Sequence, residues 1–371
     1  MVGLPFTDPV ESPAVVEPQL KISVEQESSG GLGGAAGLAS DLLGNNEGPD
    51  PWLTHLMQMK TELRSGAQVS HATLFVADSE TAPEVSLGDT LKLELGYGDS
   101  GSVPFFKGSI EKVESSIDGY KRVVVVSPLI ELAKKRINQS FEEQSAGDVV
   151  NSLAGETSIE TDNVESGNQY PFLVVSDRQS LLEHIHAIAR QQNWLCYDGP
   201  EGKLNAHKLT AGEVAKTFAY GSDVMELHHW KKNSGLEGAK VIGSGAATSN
   251  GSSAWSWLTK EPKVVSESGT GIPVVPSRAL RDNPGAQGML DRLLAEDQQK
   301  TNRVRIKTGA APEVRVGSLF EITEAPNDAN GRYFADQIIL EFDRENGFVS
   351  IVEGFSESAS SGGLGGLGGL L

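Results

Sequence analysis

Seven histidines, one cysteine and fifty carboxylates are the groups of this sequence that could carry acid–base, metal or nucleophilic chemistry, and their spacing argues against most of it. His184 and His186 flank Ile185 in an amphipathic run, where a two-residue step turns side chains to different faces of a helix and suits no shared metal. His228 and His229 are adjacent in a strand-like run and point to opposite faces for the same kind of reason. Cys196 is alone, so neither an intrachain disulfide nor a cysteine metal cage can form. No Gly-x-Ser-x-Gly elbow, His-Glu-x-x-His pair, Walker loop or calcium loop occurs. Gly30-Gly31-Leu32-Gly33-Gly34 lacks the spacing and the strand-to-helix setting of a dinucleotide fingerprint. The carboxylates are numerous enough to hold a glycosidase pair, but nothing singles out two of them. The expectation is no catalytic, cofactor-binding or metal-ligating residue, and no cofactor.

What remains is the chemistry of contact. Lys134-Lys135-Arg136 is the strongest positive cluster in a chain of formal net charge −19. It reads either as the cationic C-terminus of a helix or as a dock for an acidic partner. Trp255 and Trp257 share a face if their segment is a strand, fit to stack on a sugar, to plug a partner's pocket, or to pack an insertion down. Leu364, Leu367 and Leu370 recur every third residue between glycine pairs, as small anchors on a neighbour or as part of a flexible end. The acidic balance disfavours binding DNA through its phosphates. The first residues lack a basic region followed by an apolar core, and no 18-residue apolar run occurs, so neither a secretory signal nor a membrane span is expected.

The elements that position these residues are organised by a repeat. Val85-Ser86-Leu87-Gly88-Asp89-Thr90-Leu91-Lys92-Leu93 matches Val314-Arg315-Val316-Gly317-Ser318-Leu319-Phe320-Glu321-Ile322 in its order of apolar positions around one glycine. Further on, Phe105-Phe106 falls on Tyr333-Phe334, Ile110 on Ile338, Gly119-Tyr120 on Gly347-Phe348 and Val123 on Ile351, at one offset. Each copy reads as strands around a Gly-centred hairpin turn, so one small β-barrel or sandwich is built twice.

With 371 residues, 22% charged and 38% hydrophobic, the chain has an ordinary globular balance with room for two or three domains. Residues 1–14 read as an extended arm. Residues 15–128 form a first barrel, with a strand at Gln19–Gln26, a Gly-rich insertion at 28–51, a short turn of helix within Trp52–Ser65 and a strand within Ala67–Ala77. Residues 129–215 form a small α+β module. It holds helices at Leu129–Ile137 and Ser145–Ala154, a helix at Ser176–Asn193 capped by Ser176 with Gln179, and a hairpin turning at Gly199-Pro200-Glu201-Gly202. Residues 216–356 form a second barrel, opening with strands at Phe218–Lys232 and Gly238–Ser244. Its insertion at 246–299 carries a polar stretch over 246–276 and a helix at Ala286–Gln299. Residues 357–371 are a Gly/Leu-rich tail. The fold class expected is mainly β with an α+β insertion, two β-barrels flanking a small module.

This order of parts, with Pro128-Leu129-Ile130-Glu131-Leu132, Ser140-Phe141-Glu142, Asp148-Val149-Val150, Ser176-Asp177, Leu181-Leu182 and Gly202-Lys203-Leu204, resembles the phage late control D group. That group includes baseplate hubs of contractile tails and of related injection systems, and it is similar to the N-terminal part of VgrG proteins. The resemblance spans residues 15–356 and implies a structural, non-enzymatic role as a homotrimer. Two tail-tube-like barrels per chain would make a pseudo-hexameric ring that fits a hexameric tail tube or tube initiator above and a trimeric spike below. No room remains for a VgrG-like needle, which implies a separate spike protein. Other baseplate subunits are implied partners. DNA or protein cargo would pass the lumen without specific binding, and the lumen would be negative if the chain's charges face inward. Assembly in the bacterial cytoplasm, as part of a virion tail or an injection particle, is implied as well. Two other readings stay open: a baseplate-borne cell-wall hydrolase using acids of 246–276, and a carbohydrate-binding module using Trp255 and Trp257.

Overall fold

The computed structural model describes residues 18–25, 50–97, 101–236, 238–244, 260–270, 272–274, 280, 283–345 and 347–359. The chain enters as β1 (Pro18–Glu25), whose alternation buries Leu20 and Ile22. A five-residue helix α1 (Pro51–His55) follows, started by Pro51 and by Asp50, whose carboxylate accepts from Trp52 N at 2.8 Å. Then come β2 (Leu56–Arg64), β3 (His71–Ala77), β4 (Thr90–Tyr97), β5 (Ser102–Ser116) and β6 (Tyr120–Val126). They lie side by side as β1-β4-β5-β6-β3-β2. Gly119, at φ 79°, makes the β5–β6 turn, a conformation costly for a residue with a Cβ.

The module between the halves contains α2 (Ile130–Lys134), β7 (Gln139–Ser145), α3 (Ala146–Gly155), β8 (Thr161–Val164), β9 (Gln169–Val175), α4 (Leu181–Gln192), β10 (Leu195–Asp198) and β11 (Leu204–His207). Val149, Val150 and Leu153 of α3 and Leu181, Leu182, Ile185, Ile188 and Ala189 of α4 face one core around buried Trp194. The start of α4 departs from the sequence reading. Its capping box is Ser180 with Glu183, and Ser176 instead ends the preceding segment, its carbonyl bonded to the His184 ring. Both serines have an acceptor-bearing residue three positions on, and the longer apolar stripe decides between them only once packed. Asn193 closes the helix in the left-handed conformation, as expected.

The second half begins with β12 (Val214–Ala219) and β13 (Val224–Lys231). An excursion follows: β14 (Gly238–Ser244), β15 (Lys260–Gly269), β16 (Ile272–Val274) and α5 (Asn283–Gln298). β14 does not open the second barrel; it sits at the centre of a separate sheet, β15-β14-β16, with a small core of Ala239, Val241, Val264, Leu280, Ala286 and Leu290 shared with α5. The chain then returns through β17 (Asn302–Gly309), β18 (Leu319–Thr323), β19 (Gly331–Asp343) and β20 (Gly347–Ser356), in the order β12-β18-β19-β20-β17-β13.

The two halves therefore repeat one strand order, and they share more than order. In the first, Gly88 N donates to Ile110 O and Asp89 N to Ser86 O; in the second, Gly317 N donates to Ala335 O and Ser318 N to Arg315 O. β5 is irregular between Ile110 and Lys112, and β19 between Ala335 and Gln337. β2 skips a residue between Leu56 and Gln58, and β13 between Val224 and Glu226, which leaves Met57 and Met225 exposed. The match of Val85–Leu93 to Val314–Ile322 thus holds residue for residue. The match of Ile110 to Ile338 slips: the shared turn and irregularity put Ile110 on Ala335, because the β19–β20 hairpin is longer. Val123 likewise faces the main core, whereas Ile351 belongs to a separate cluster with Ile339 and Val349. One difference in hand remains: β1 pairs β4 antiparallel, and β12 pairs β18 parallel.

The copies are fused into one 12-stranded sheet over one core. β2 pairs antiparallel with the second part of β19, from Arg64 opposite Gln337 to Gln58 opposite Asp343. Leu56, Met59 and Leu74 of the first half and Val304, Ile338 and Leu340 of the second are fully buried in the same cluster. Within this sheet β2 is the strand the sequence reading misses, since that reading expects only a turn of helix within Trp52–Ser65; outside the sheet, β7, β8, β9, β15 and β16 are likewise not expected.

Candidate assembly surface

Three contacts bind the two halves, the first two at the β2–β19 joint itself. Arg344, in the turn after β19, donates from Nε to Leu56 O at 2.9 Å and from Nη2 to the carbonyls of Leu53 and Thr54, satisfying the open end of α1. Asp336, at the irregularity of β19, accepts two bonds from Arg303 Nη2, at 3.0 and 2.8 Å, and its carbonyl accepts from Ser65 N. Burial pushes the Asp336 carboxyl up against the pull of Arg303. Arg315 lies over the Phe105 ring, 4.8 Å from its centroid, and donates to Pro104 O at 2.7 Å, so the second-half turn is bound to the first half. Burial lowers that guanidinium to about 10.

A second contact holds the module. Asp198, at the end of β10, is buried and accepts from Ser70 Oγ at 2.6 Å and from the Ser127 side chain. Burial raises its pKa, and the two serines only partly offset this. Opposite, Arg190 of α4 makes a two-pronged pair with Glu296 of α5, both bonds at 2.8 Å, and Arg292 adds a third at 3.0 Å.

The sheet face turned away from the core forms a continuous ribbon from β5 to β13, because paired residues of antiparallel strands point the same way. Its cations Lys60, Arg64, Lys112, Arg122, Arg303, Arg305 and Lys307 stand among the acids Glu62, Glu114, Glu226, Glu341, Asp343 and Glu353. Two Lys-Glu-Arg triads recur on it. Glu62 lies 2.9 Å from Lys60 and 2.6 Å from Arg64, and Glu114 lies 2.7 Å from Lys112 and 2.9 Å from Arg122. Burial alone would raise the Glu62 carboxyl, but its bonds to Lys60 and Arg64 prevail and hold it below the ordinary range. The ribbon is near neutral, and the chain's acidity lies elsewhere. A wide groove of about 720 Å³ crosses it, lined among others by Lys60, Glu62, His71, Phe75, Glu114 and Arg122.

The residues singled out from sequence fare unevenly. Lys134 pairs with Glu111 and Glu131, Lys135 with the carbonyl and carboxylate of Glu156, and Arg136 with Arg178 O, so each cation of the triplet already engages its own chain. Trp255, Trp257, Leu364, Leu367, Leu370 and Gly30–Gly34 lie outside the described residues. His184 is buried, and His229 bonds Asn302 Oδ1. Burial drives the Cys196 thiol up to about 12, which makes it a poor nucleophile. Among the described residues no group of His, Cys, Asp and Glu is arranged to hold a metal, and no helix is long and apolar enough to cross a membrane. The surface that stands out is one of strand edges and matched charges.

Compared by sequence, the chain matches no protein-family model and no curated protein. Compared by structure, it superposes on the 43 kDa tail protein of prophage MuSo2 from Shewanella oneidensis with a TM-score of 0.62, over 82% of this chain and 99% of that one, at 11% identity. The chain has the fold of phage tail proteins. A tail protein from Neisseria meningitidis MC58 gives a TM-score of 0.59 over 82% and 93% of the two chains, again at 11% identity. An Escherichia coli component of the type VI secretion system, itself described as similar to the T4 tail proteins gp27 and gp5, gives 0.53 over 82% and 74% at 10% identity. The resemblance to late control D and VgrG-type hubs is thus borne out as a likeness of fold, and the mainly β tail-protein architecture with it.

Proposed function

We propose that this chain is a structural baseplate hub of a contractile tail or injection system, a homotrimer whose six half-sheets form a ring between a hexameric tube and a trimeric spike. The observation that carries this reading is the doubled half-sheet: one strand order, one turn and two irregularities built twice in a single chain and fused by β2–β19. Three such chains supply six similar positions to a sixfold partner while keeping threefold symmetry for the other. The tail-protein fold supports the same reading, as does a surface offering matched charges and strand edges. The near-neutral ribbon fits a lumen past which cargo moves without adhering. In this reading the α+β module lies on the outside of the ring, and the chain acts within a particle assembled from cytoplasmic parts.

Light scattering with negative-stain imaging of the purified chain tests the proposal: a ring-shaped trimer is expected, and a stable dimer overturns it. The tail beyond residue 359 is proposed to contact the spike through Leu364, Leu367 and Leu370. Truncation after residue 359 is expected to abolish co-purification with the spike, and undiminished co-purification rejects that contact.

A further inference from the structure

Among the described residues, two strand edges lack the partner that their counterparts in the repeat have. β19 is bordered on one side by β20 and on the other first by β18 and then, past its irregularity, by β2. β5 is bordered by β6 and, up to Ser109, by β4; past its own irregularity, over 112–116, no strand of the described residues covers that second edge. Among the described residues β2 lies between β3 and β19, whereas β13, its counterpart, has β17 as its one strand neighbour. Burial tells the same story. Leu340 is fully buried beneath β2, while its counterpart Ser115 is exposed. In the doubled turn Val316 is 4% exposed, and Leu87 is 67% exposed. Ile117, at the tip of the β5–β6 hairpin, and Trp230, on β13, are exposed apolar side chains on the two open edges.

We propose that the open edge of β13 pairs antiparallel with the 112–116 edge of β5 in a second copy of this chain, repeating between molecules the β2–β19 joint found within one. Open edges of this kind are templates for another strand, and this pair is pre-shaped for the match. The contact joins two different surfaces of one molecule, so it propagates head to tail and ends where the rotation closes. It rests on the hub reading for closure at three copies. Superposing the irregularities of β2 on β13 and of β19 on β5 carries the register across. The pair Glu62–Ile339 becomes Trp230 opposite Glu114, and Lys60–Glu341 becomes His228 opposite Ser116. Trp230 and Glu114 both lie on the ribbon, so the joint continues that face from one molecule to the next.

The test is a double variant of the full chain, Trp230→Cys with Glu114→Cys. Opposed residues of antiparallel strands have Cα atoms about 4.5–5.5 Å apart, within reach of a disulfide. Mild oxidation is expected to link residues 230 and 114 of different chains into a closed multimer, with each single variant unlinked and the native Cys196 inert because it is buried. The offset pair Trp230→Cys with Lys112→Cys is expected to link poorly. In the unmodified chain, amides over 224–231 and 112–116 should exchange more slowly in the assembled fraction than in the monomer. A trimer that neither links nor protects these edges rejects the joint and leaves the hub reading standing. A chain that stays monomeric at every concentration and never links rejects both.

Discussion

Arg344 Nε donates to the carbonyl of Leu56 at 2.9 Å, joining the tip of the β19–β20 hairpin to a residue 288 positions earlier in the chain. The same guanidinium reaches the carbonyls of Leu53 and Thr54, in the last turn of a five-residue helix.

Replacing Arg344 by alanine is expected to lower stability by about 1–3 kcal/mol, the range for hydrogen bonds from a charged donor whose loss leaves acceptors unpaired. Arg344→Lys should recover less than half of this, since an ammonium cannot serve three carbonyls in a planar fork. Urea unfolding of both variants measures the difference. Near-complete recovery by Arg344→Lys would mean that packing of the aliphatic stem, rather than the fork, matters here.

Asp198 lends itself to a test by pH. Its folded pKa is raised by burial, so the folded chain holds this proton to higher pH than the unfolded chain does. The stability that goes with the proton is fully present below the ordinary carboxylate value and is lost as pH rises through the raised one. Asp198→Asn should therefore gain on the wild type as pH climbs from about 4 to 7, an expectation from the same linkage. Asp198→Ala, which strands the hydroxyls of Ser70 and Ser127, should cost about 1–3 kcal/mol near neutrality. Unfolding curves across that pH range check both, and a wild type and Asn variant running parallel would refute the assignment.

The opposite sign governs Glu296. Burial would raise its carboxyl, but the bonds from Arg190 and Arg292 prevail and lower it. The hold of α5 on α4 is then present above the ordinary value of 4.5 and is lost as pH falls through the depressed one. Glu296→Gln is expected to speed amide exchange in α5 several-fold while leaving β19 and β20 unchanged. The effect should be modest, because Arg190 is 43% exposed and water screens the pair.

How much of this was legible beforehand follows from how each element is specified. The turn around Gly88 and Gly317 was readable because a positive φ, 91° and 83°, and a fixed apolar frame write the same nine-residue pattern twice. The joint was not. Leu56-Met57-Gln58 and Val224-Met225-Glu226 are themselves a repeat, but the skipped residue breaks period two, so β2 did not read as a strand. The offset drawn through Ile110 and Ile338 erred because hairpin length changes without leaving a mark in alternation. β14 reads as a barrel strand for a related reason: Val241 alternates equally well against β15 as it would against a barrel strand, and only α5 decides. Among the site residues, the Lys134 triplet was visible as charge, but its partners Glu111, Glu156 and Arg178 are brought near only by the fold.

The ribbon's balance gives a prediction about cargo. The unaltered chain should not retain single-stranded DNA at low salt, since its cations are answered by neighbouring acids and the chain as a whole is strongly negative. Exchanging Glu62, Glu114 and Glu353 for glutamine frees Arg64, Lys112, Arg122 and Arg305 and should confer weak retention that vanishes as salt is raised. Fluorescence anisotropy across a salt series measures it. Binding by the wild type would mean that the ribbon attracts polyanions despite its pairing.

The doubled turn supplies the last prediction. Gly88 and Gly317 share a left-handed backbone, so alanine at either should cost about 1 kcal/mol or more from conformation alone. At Gly317 a Cβ would also meet the Tyr197 ring, whose nearest atoms lie 3.2–3.3 Å away, within a packed contact between the second half and the module. Gly317→Ala should therefore destabilise the isolated chain more than Gly88→Ala, because the Tyr197 ring must shift while the first-half turn, with Leu87 at the surface, has room to relax. If assembled copies cover that first turn, the order changes: Gly88→Ala then weakens the multimer without a matching loss in the monomer, which Gly317→Ala cannot do. Thermal melts of monomer and multimer fractions of the two variants separate the cases, and equal shifts for both variants in both fractions would show that the two turns are not used differently.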